Sequence, residues 1–195
     1  MTSRRKLLKI LATSAIAPFA FPAIAAEEKR PFTYGLVLPL TGGSASAGLD
    51  QVKAHMWAVT EINAAGGANG HRLNPILLDS QGKPEIGIAS VSRLASVDKV
   101  PLFITGWSPV VAAVAPIANR NKMLELSIGA NSPRISKLGE YVYTIYPLAD
   151  VDITLLAKYA FEKIGARKAA SIFINDESGI YGAQVFRDAF IKLGG

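Results

Sequence analysis

From Thr33 onward, short apolar runs alternate with longer stretches in which apolar residues recur at helical spacing. TYGLVLPL (residues 33–40) reads as a strand. A loop of small residues, TGGSASAG, leads into a helix that places Val52, Met56, Val59 and Ile62 on one face. The glycines of NAAGGANG (residues 63–70) stop it, because glycine accepts left-handed backbone at a helix end. A second unit follows, with a strand at 73–78 and a helix at 84–98. A third has a strand at 101–105 and a helix at 109–121, and a fourth strand is predicted at 123–128. Strands joined by helical crossovers run parallel, with helices on both faces, so the first lobe is expected to be a doubly wound α/β layer.

The pattern changes near residue 140. YVYTIYP (141–147) alternates aromatic or β-branched residues with others until Pro147 breaks it. Asp150 or Asp152 can cap a helix at 153–164, and the apolar run 169–174 reads as another strand. NDESG (175–179) is a turn, and YGAQVFRDAFIKLGG (181–195) is an amphipathic helix stopped by a glycine pair. This strand-helix-strand-helix stretch reads as part of a second sheet, and two strands alone do not form a stable layer. The expected division is lobe one at 26–146 and a partial lobe two at 147–195.

The first 25 residues read as an export signal. Arg4, Arg5, Lys6 and Lys9 precede an uncharged run at 10–21, and Ala23-Ile24-Ala25 has the small-x-small pattern of a cleavage site. The run is shorter than the roughly 20 apolar residues that span a bilayer. SRRKLLK also resembles the twin-arginine motif, so export is expected by either route.

Removing that segment changes the charge. The chain has 21 Lys plus Arg and 15 Asp plus Glu; four bases and no acid lie before residue 26, leaving 17 − 15 = +2. No basic stripe remains to suggest nucleic acid. There is no cysteine, which excludes disulfides, thiol catalysis and cysteine metal sites.

No catalytic constellation emerges. Gly43 and Gly48 have phosphate-loop spacing, but Leu49-Asp50 stands where Lys-Ser/Thr would contact phosphate and magnesium. Ser108 lacks the second glycine of a nucleophile elbow. His55 and His71 have no metal-ligand spacing. A non-enzymatic chain without cofactor or metal is expected.

YGLVLPLTGGSASAG, INAAGGANGHRL, LLDSQGKPE, FITGWSPVVAAVAPIA, SIGANSP and NDESGIYG, in that order, resemble the periplasmic leucine/isoleucine/valine-binding proteins of ABC importers. The resemblance implies a type I periplasmic-binding-protein fold, two doubly wound Rossmann-like lobes with the second incomplete here. It implies an extracytoplasmic protein that binds a branched-chain or related amino acid by hinge closure and docks on an inner-membrane ABC permease. A receptor for amides, urea or aromatic acids, or a sensor domain on the same scaffold, fits the same residues. In the family the chain returns to the first lobe, so further strands of lobe two and two return crossings are expected beyond residue 195.

Ligands of such folds bind beyond the carboxyl ends of the strands, where helix N-termini present free N–H groups. Ser108, just past the third strand, can hold a carboxylate or cap its own helix, and the resemblance implies a ligand contact. Gly129, Ala130 and Asn131 fall in the loop implied to hold the ligand's charged head. Asn131 replaces a family threonine, which puts a branched-chain preference in question. Tyr181 matches a tyrosine reaching across from lobe two. Ala47 and Trp107 are expected in loops framing the ligand side chain, and alanine at 47 suits a larger or aromatic ligand. Asp79 and Asp152 are the acids nearest strand ends and the lobe crossing; either can meet an ammonium or simply face water.

Overall fold

The computed structural model describes residues 29–195, so the export-signal reading lies outside the described residues. Five strands form one parallel sheet: β1 (Lys29–Leu38), β2 (His71–Asp79), β3 (Leu102–Thr105), β4 (Leu124–Ser127) and β5 (Val142–Thr144), in the order β2-β1-β3-β4-β5. The helices are α1 (Ala45–Ala64), α2 (Pro84–Arg93), α3 (Ser108–Asn121), α4 (Ala149–Glu162) and α5 (Glu177–Lys192).

Alternation along β1 divides the core into two layers. Tyr34, Leu36 and Leu38 face Ile104, with Val52 of α1 packed beside them. Val37 joins Phe103 on the opposite face, under Val91 and Leu94 from the α2 side and Val110, Val114 and Ala118 from α3. Leu36, Leu38, Leu94 and Phe103 are fully buried. Each such side chain contributes roughly 1.5–3 kcal/mol by leaving water. A Cβ at Gly87 would fall 2.7 Å from Val110 Cγ1, so glycine allows α2 to approach α3 closely. Of the predicted α1 face, Val59 is buried, whereas Met56 and Ile62 each remain 39% exposed.

Element order through the first three units follows the sequence pattern. The predicted helix 84–98 is α2 continued by a π-type turn (Leu94–Asp98) that closes on Lys99 in the left-handed region, φ 50°. Two expectations are corrected. YVYTIYP does not open a second sheet: its core, β5, pairs in parallel with β4 as the edge of the first. The run 169–174 forms no strand; it is exposed, because no described segment pairs with it. α4 starts four residues before its predicted position. Its cap position is Leu148, so Asp150 and Asp152 lie in the first turn instead, where acids still favour the helix dipole.

β1 connects to β2 on one side and β2 crosses over to β3 on the other. The loops after β1 and β3 therefore diverge, opening a crevice at the carboxyl ends. Among the described residues, no helix is long and apolar enough to cross a membrane.

Candidate ligand crevice at the carboxyl ends of the strands

β3 ends at Thr105, whose hydroxyl donates to Val37 O at 2.9 Å. The chain then turns sharply through Trp107 (φ 66°, ψ 116°), a conformation uncommon for a residue with a side chain. That turn places Ser108 as the first residue of α3, buried to 2% exposure. The cap position belongs to Trp107, so Ser108 does not cap its own helix. Its Oγ accepts instead from Ser132 N at 3.2 Å, linking the β3 and β4 loops. The hydroxyl proton remains available to donate, beside the first-turn amides of α3.

The β4 loop meets this turn at glycines. Trp107 N donates to Gly129 O at 3.3 Å, and a Cβ on Gly106 would lie 3.7 Å from Gly129 Cα. Ala130 is 2% exposed and packs with Val111, Ala115, Ile135 and Val142, so only its backbone can serve a ligand. Asn131 O accepts from Ala149 N at 2.8 Å. Asn131 also lines a groove of about 480 Å³ with Ile153 and Leu156 of α4 and the exposed 170–174 segment. From the other strands, Ser44 and Trp107 meet at Gly82: a Cβ there would lie 3.5 Å from Ser44 Oγ and 3.9 Å from Trp107 Cδ1. Loops after β1, β2, β3 and β4 thus converge at one mouth.

Other predicted residues stand differently. Ala47 lies in the exposed first turn of α1, not in a loop. Tyr181, near the start of α5, lies against Arg134: its hydroxyl accepts from Nη1 at 3.3 Å, and the guanidinium carbon sits 5.3 Å from the ring centroid. Asp79 Oδ1 accepts from Leu40 N and Gln81 N, both at 2.8 Å, and Oδ2 from the Thr41 hydroxyl at 2.6 Å. Burial opposes its charged form, but these hydrogen bonds outweigh it and hold the carboxyl below its usual range. Asp79 therefore stitches the β1 and β2 loops together. Asp152 is exposed and accepts from Ile153 N at 2.7 Å. Both histidines are engaged within the fold: the Tyr34 hydroxyl and His55 Nε2 share a hydrogen bond at 2.6 Å, and His71 Nδ1 lies 2.7 Å from Arg30 O.

Comparison with known proteins decides the family. A family model described as periplasmic binding protein matches residues 31–195. The chain belongs to the periplasmic binding protein family. It is 32% identical over 187 residues to the Leu/Ile/Val-binding protein BraC3 of Rhizobium johnstonii, covering 94% of this chain and 48% of that protein. It is 29% identical over 195 residues to Leu/Ile/Val-binding protein homolog 3 of Brucella melitensis, covering 97% and 50%. The chain thus spans about half the length of these relatives. Two solved structures share the fold at a TM-score of 0.76. One is an ABC-transporter solute-binding protein from Rhodopseudomonas palustris BisB5 in complex with 3,4-dihydroxybenzoic acid (24% identity; 85% of this chain, 45% of that one). The other is LivJ of Streptococcus pneumoniae in complex with isoleucine (22% identity; 82% and 47%). Type I periplasmic binding proteins are therefore the fold class, and this chain forms one lobe-like α/β body with two further helices.

Several residues carry polar chemistry that the sequence pattern does not flag. Glu125 is fully buried in β4, beside Phe103 of β3 and Val142 of β5, and both its oxygens lack partners among the described residues. Burial pushes its carboxyl up to about 9, so it is held protonated at neutral pH. Ser132 Oγ donates to Glu177 Oε1 at 3.2 Å, which joins the β4 loop to α5. Gln51 Oε1 is also buried without a partner, and leaving such a group unpaired costs about 1–3 kcal/mol. In the sequence Gln51 is one polar residue among several on an amphipathic helix, and only the fold brings it to Gly129.

Proposed function

We propose that this chain is the ligand-gripping part of an extracytoplasmic solute-binding protein of an ABC importer, taking a small carboxylate of the branched-chain or related amino acid class. The observation that carries the reading is the bridge between Ser108 Oγ and Ser132 N at the mouth, beside the first-turn amides of α3. A carboxylate placed there receives the Ser108 proton and backbone N–H groups, with the positive end of the helix dipole behind them. Gly129, Ala130 and Asn131 contribute backbone groups, and the Asn131 amide can both donate and accept. Trp107 and the open space beside Ala47 frame the remainder of the ligand. Tyr181 joins from the second lobe if closure carries α5 toward the crevice.

Binding works by differential contact. A ligand touching both lobes gains interactions in the closed form that the open form lacks, and that difference drives hinge closure. Export to the periplasm and delivery to an inner-membrane permease complete the proposal. No step in it is catalytic.

A second ligand class has its own support. In this reading Ala47 and Gly129 border the ligand with small groups, which suits an aromatic acid, and a structural relative is bound to 3,4-dihydroxybenzoic acid. Calorimetric titration of the full encoded polypeptide with leucine, isoleucine, valine, small amides and hydroxybenzoates separates these classes. Saturable one-to-one binding of at least one small carboxylate is expected. Saturation only by a neutral amide or urea contradicts the carboxylate reading.

A further inference from the structure

One side chain of α1, Gln51, packs against the β4 loop that borders the crevice. The Gln51 carboxamide lies against the β4 loop: a Cβ on Gly129 would fall 2.8 Å from its Nε2 and 3.7 Å from its Oε1. Gly129 O is the acceptor for Trp107 N, so Gln51 borders the same turn that presents Ser108. Its Oε1 is shielded from solvent and has no hydrogen-bond partner among the described residues. Buried side-chain oxygens are ordinarily paired. Two nearby backbone donors are engaged elsewhere, Trp107 N with Gly129 O and Ser132 N with Ser108 Oγ, and Gly129 has no side chain to offer.

We propose that Gln51 is a specificity-determining contact whose Oε1 accepts a hydrogen bond from a hydroxyl or ammonium donor on the bound carboxylate. The inference rests on the crevice proposed above and narrows its ligand: a small molecule with an acid at one end and a donor within reach of α1. A ligand of the same shape lacking the donor leaves Oε1 unpaired, and sites built around a hydrogen bond discriminate strongly against such analogues. The carboxamide is neutral, so this discrimination does not require Gln51 to titrate.

Matched pairs test it: leucine against 4-methylpentanoate, and 4-hydroxybenzoate against benzoate, each titrated calorimetrically into the full encoded polypeptide. In at least one pair the donor-bearing member is expected to bind about tenfold tighter or more. Gln51→Met is expected to lower that ratio by about tenfold while holding affinity for the donor-less member. Gln51→Glu, which keeps an acceptor at the same reach, is expected to preserve the ratio, and Ser108→Ala to weaken both members alike. A ratio unchanged by Gln51→Met, or both members weakened equally by it, overturns the role of Gln51 while leaving the crevice intact. If Gln51→Met does not fold, loss of the ratio in Gln51→Glu overturns it. If no member binds, or Ser108→Ala changes nothing, the crevice itself falls and this inference with it.

Discussion

Glu125 sits where a strand of a covered sheet normally carries valine or isoleucine, with no hydrogen-bond partner among the described residues to compensate its carboxyl. Its proton is therefore bound more tightly in the folded chain than in the unfolded one, where the group has its ordinary value of 4.5. For an acid shifted upward, the folded state holds more protons, so stability from this group is full below about 4.5 and declines as pH rises toward about 9. At pH 7 the loss is on the order of 3 kcal/mol. Glu125→Gln is expected to raise the unfolding free energy at pH 8 and to change it little at pH 4.5, measured by urea denaturation. An equal effect at both pH values contradicts this. Position after a strand, together with the resemblance, singles out Ser108 and the Gly129–Asn131 loop as candidates, and the structure brings them together. Glu125 and Gln51 were not legible in the sequence, because burial and lack of a partner are properties of the fold, and LELS reads as an unremarkable strand. Trp107 was legible as a loop residue but not as the holder of a left-handed turn.

At the level of elements, periodicity located β1 to β4 and α1 to α3, since each helix buries one face and each strand is flanked by turn residues. It failed where pairing decides the outcome. β5 spans three residues, too few for alternation to say which sheet it joins. An apolar run such as 169–174 looks the same with or without a partner, and here Ile172 is 103% exposed relative to its reference. α5 nonetheless forms: Asp176 Oδ1 accepts from Gly179 N at 2.9 Å and caps it, and Phe186 and Phe190 stack on its inner side with ring centroids 5.5 Å apart. Arg167 lies over the Phe161 ring at 4.0 Å, which leaves the neighbouring Lys168 the freer basic residue of the connection. In limited trypsin digestion of the 195-residue chain, the first cut is expected after Lys168, releasing α5 from a body that retains β1 to β5, as read by mass spectrometry. A first cut within residues 71–121 contradicts the view that the sheet is the stable unit.

For the whole molecule, the loops after β1 to β4 meet at one mouth, and α5 lies beside the β4 loop through polar contacts. Arg134 Nη1 stands 3.7 Å from Glu177 Oε1 and 3.3 Å from the Tyr181 hydroxyl, with the arginine side chain 53% exposed. Such partly exposed pairs contribute about 0–1 kcal/mol, weak enough to yield when a ligand offers better partners. This polar junction was not legible in the sequence, because its partners lie 45 and 47 residues apart along the chain. The central claim is that a small carboxylate is held between the start of α3 and the β4 loop. Amide hydrogen exchange of the full encoded polypeptide, with and without the tightest ligand from the titrations, tests it most directly. Slowed exchange at residues 108–111 and 129–132 is expected on binding; unchanged exchange there, with protection confined to other segments, contradicts it.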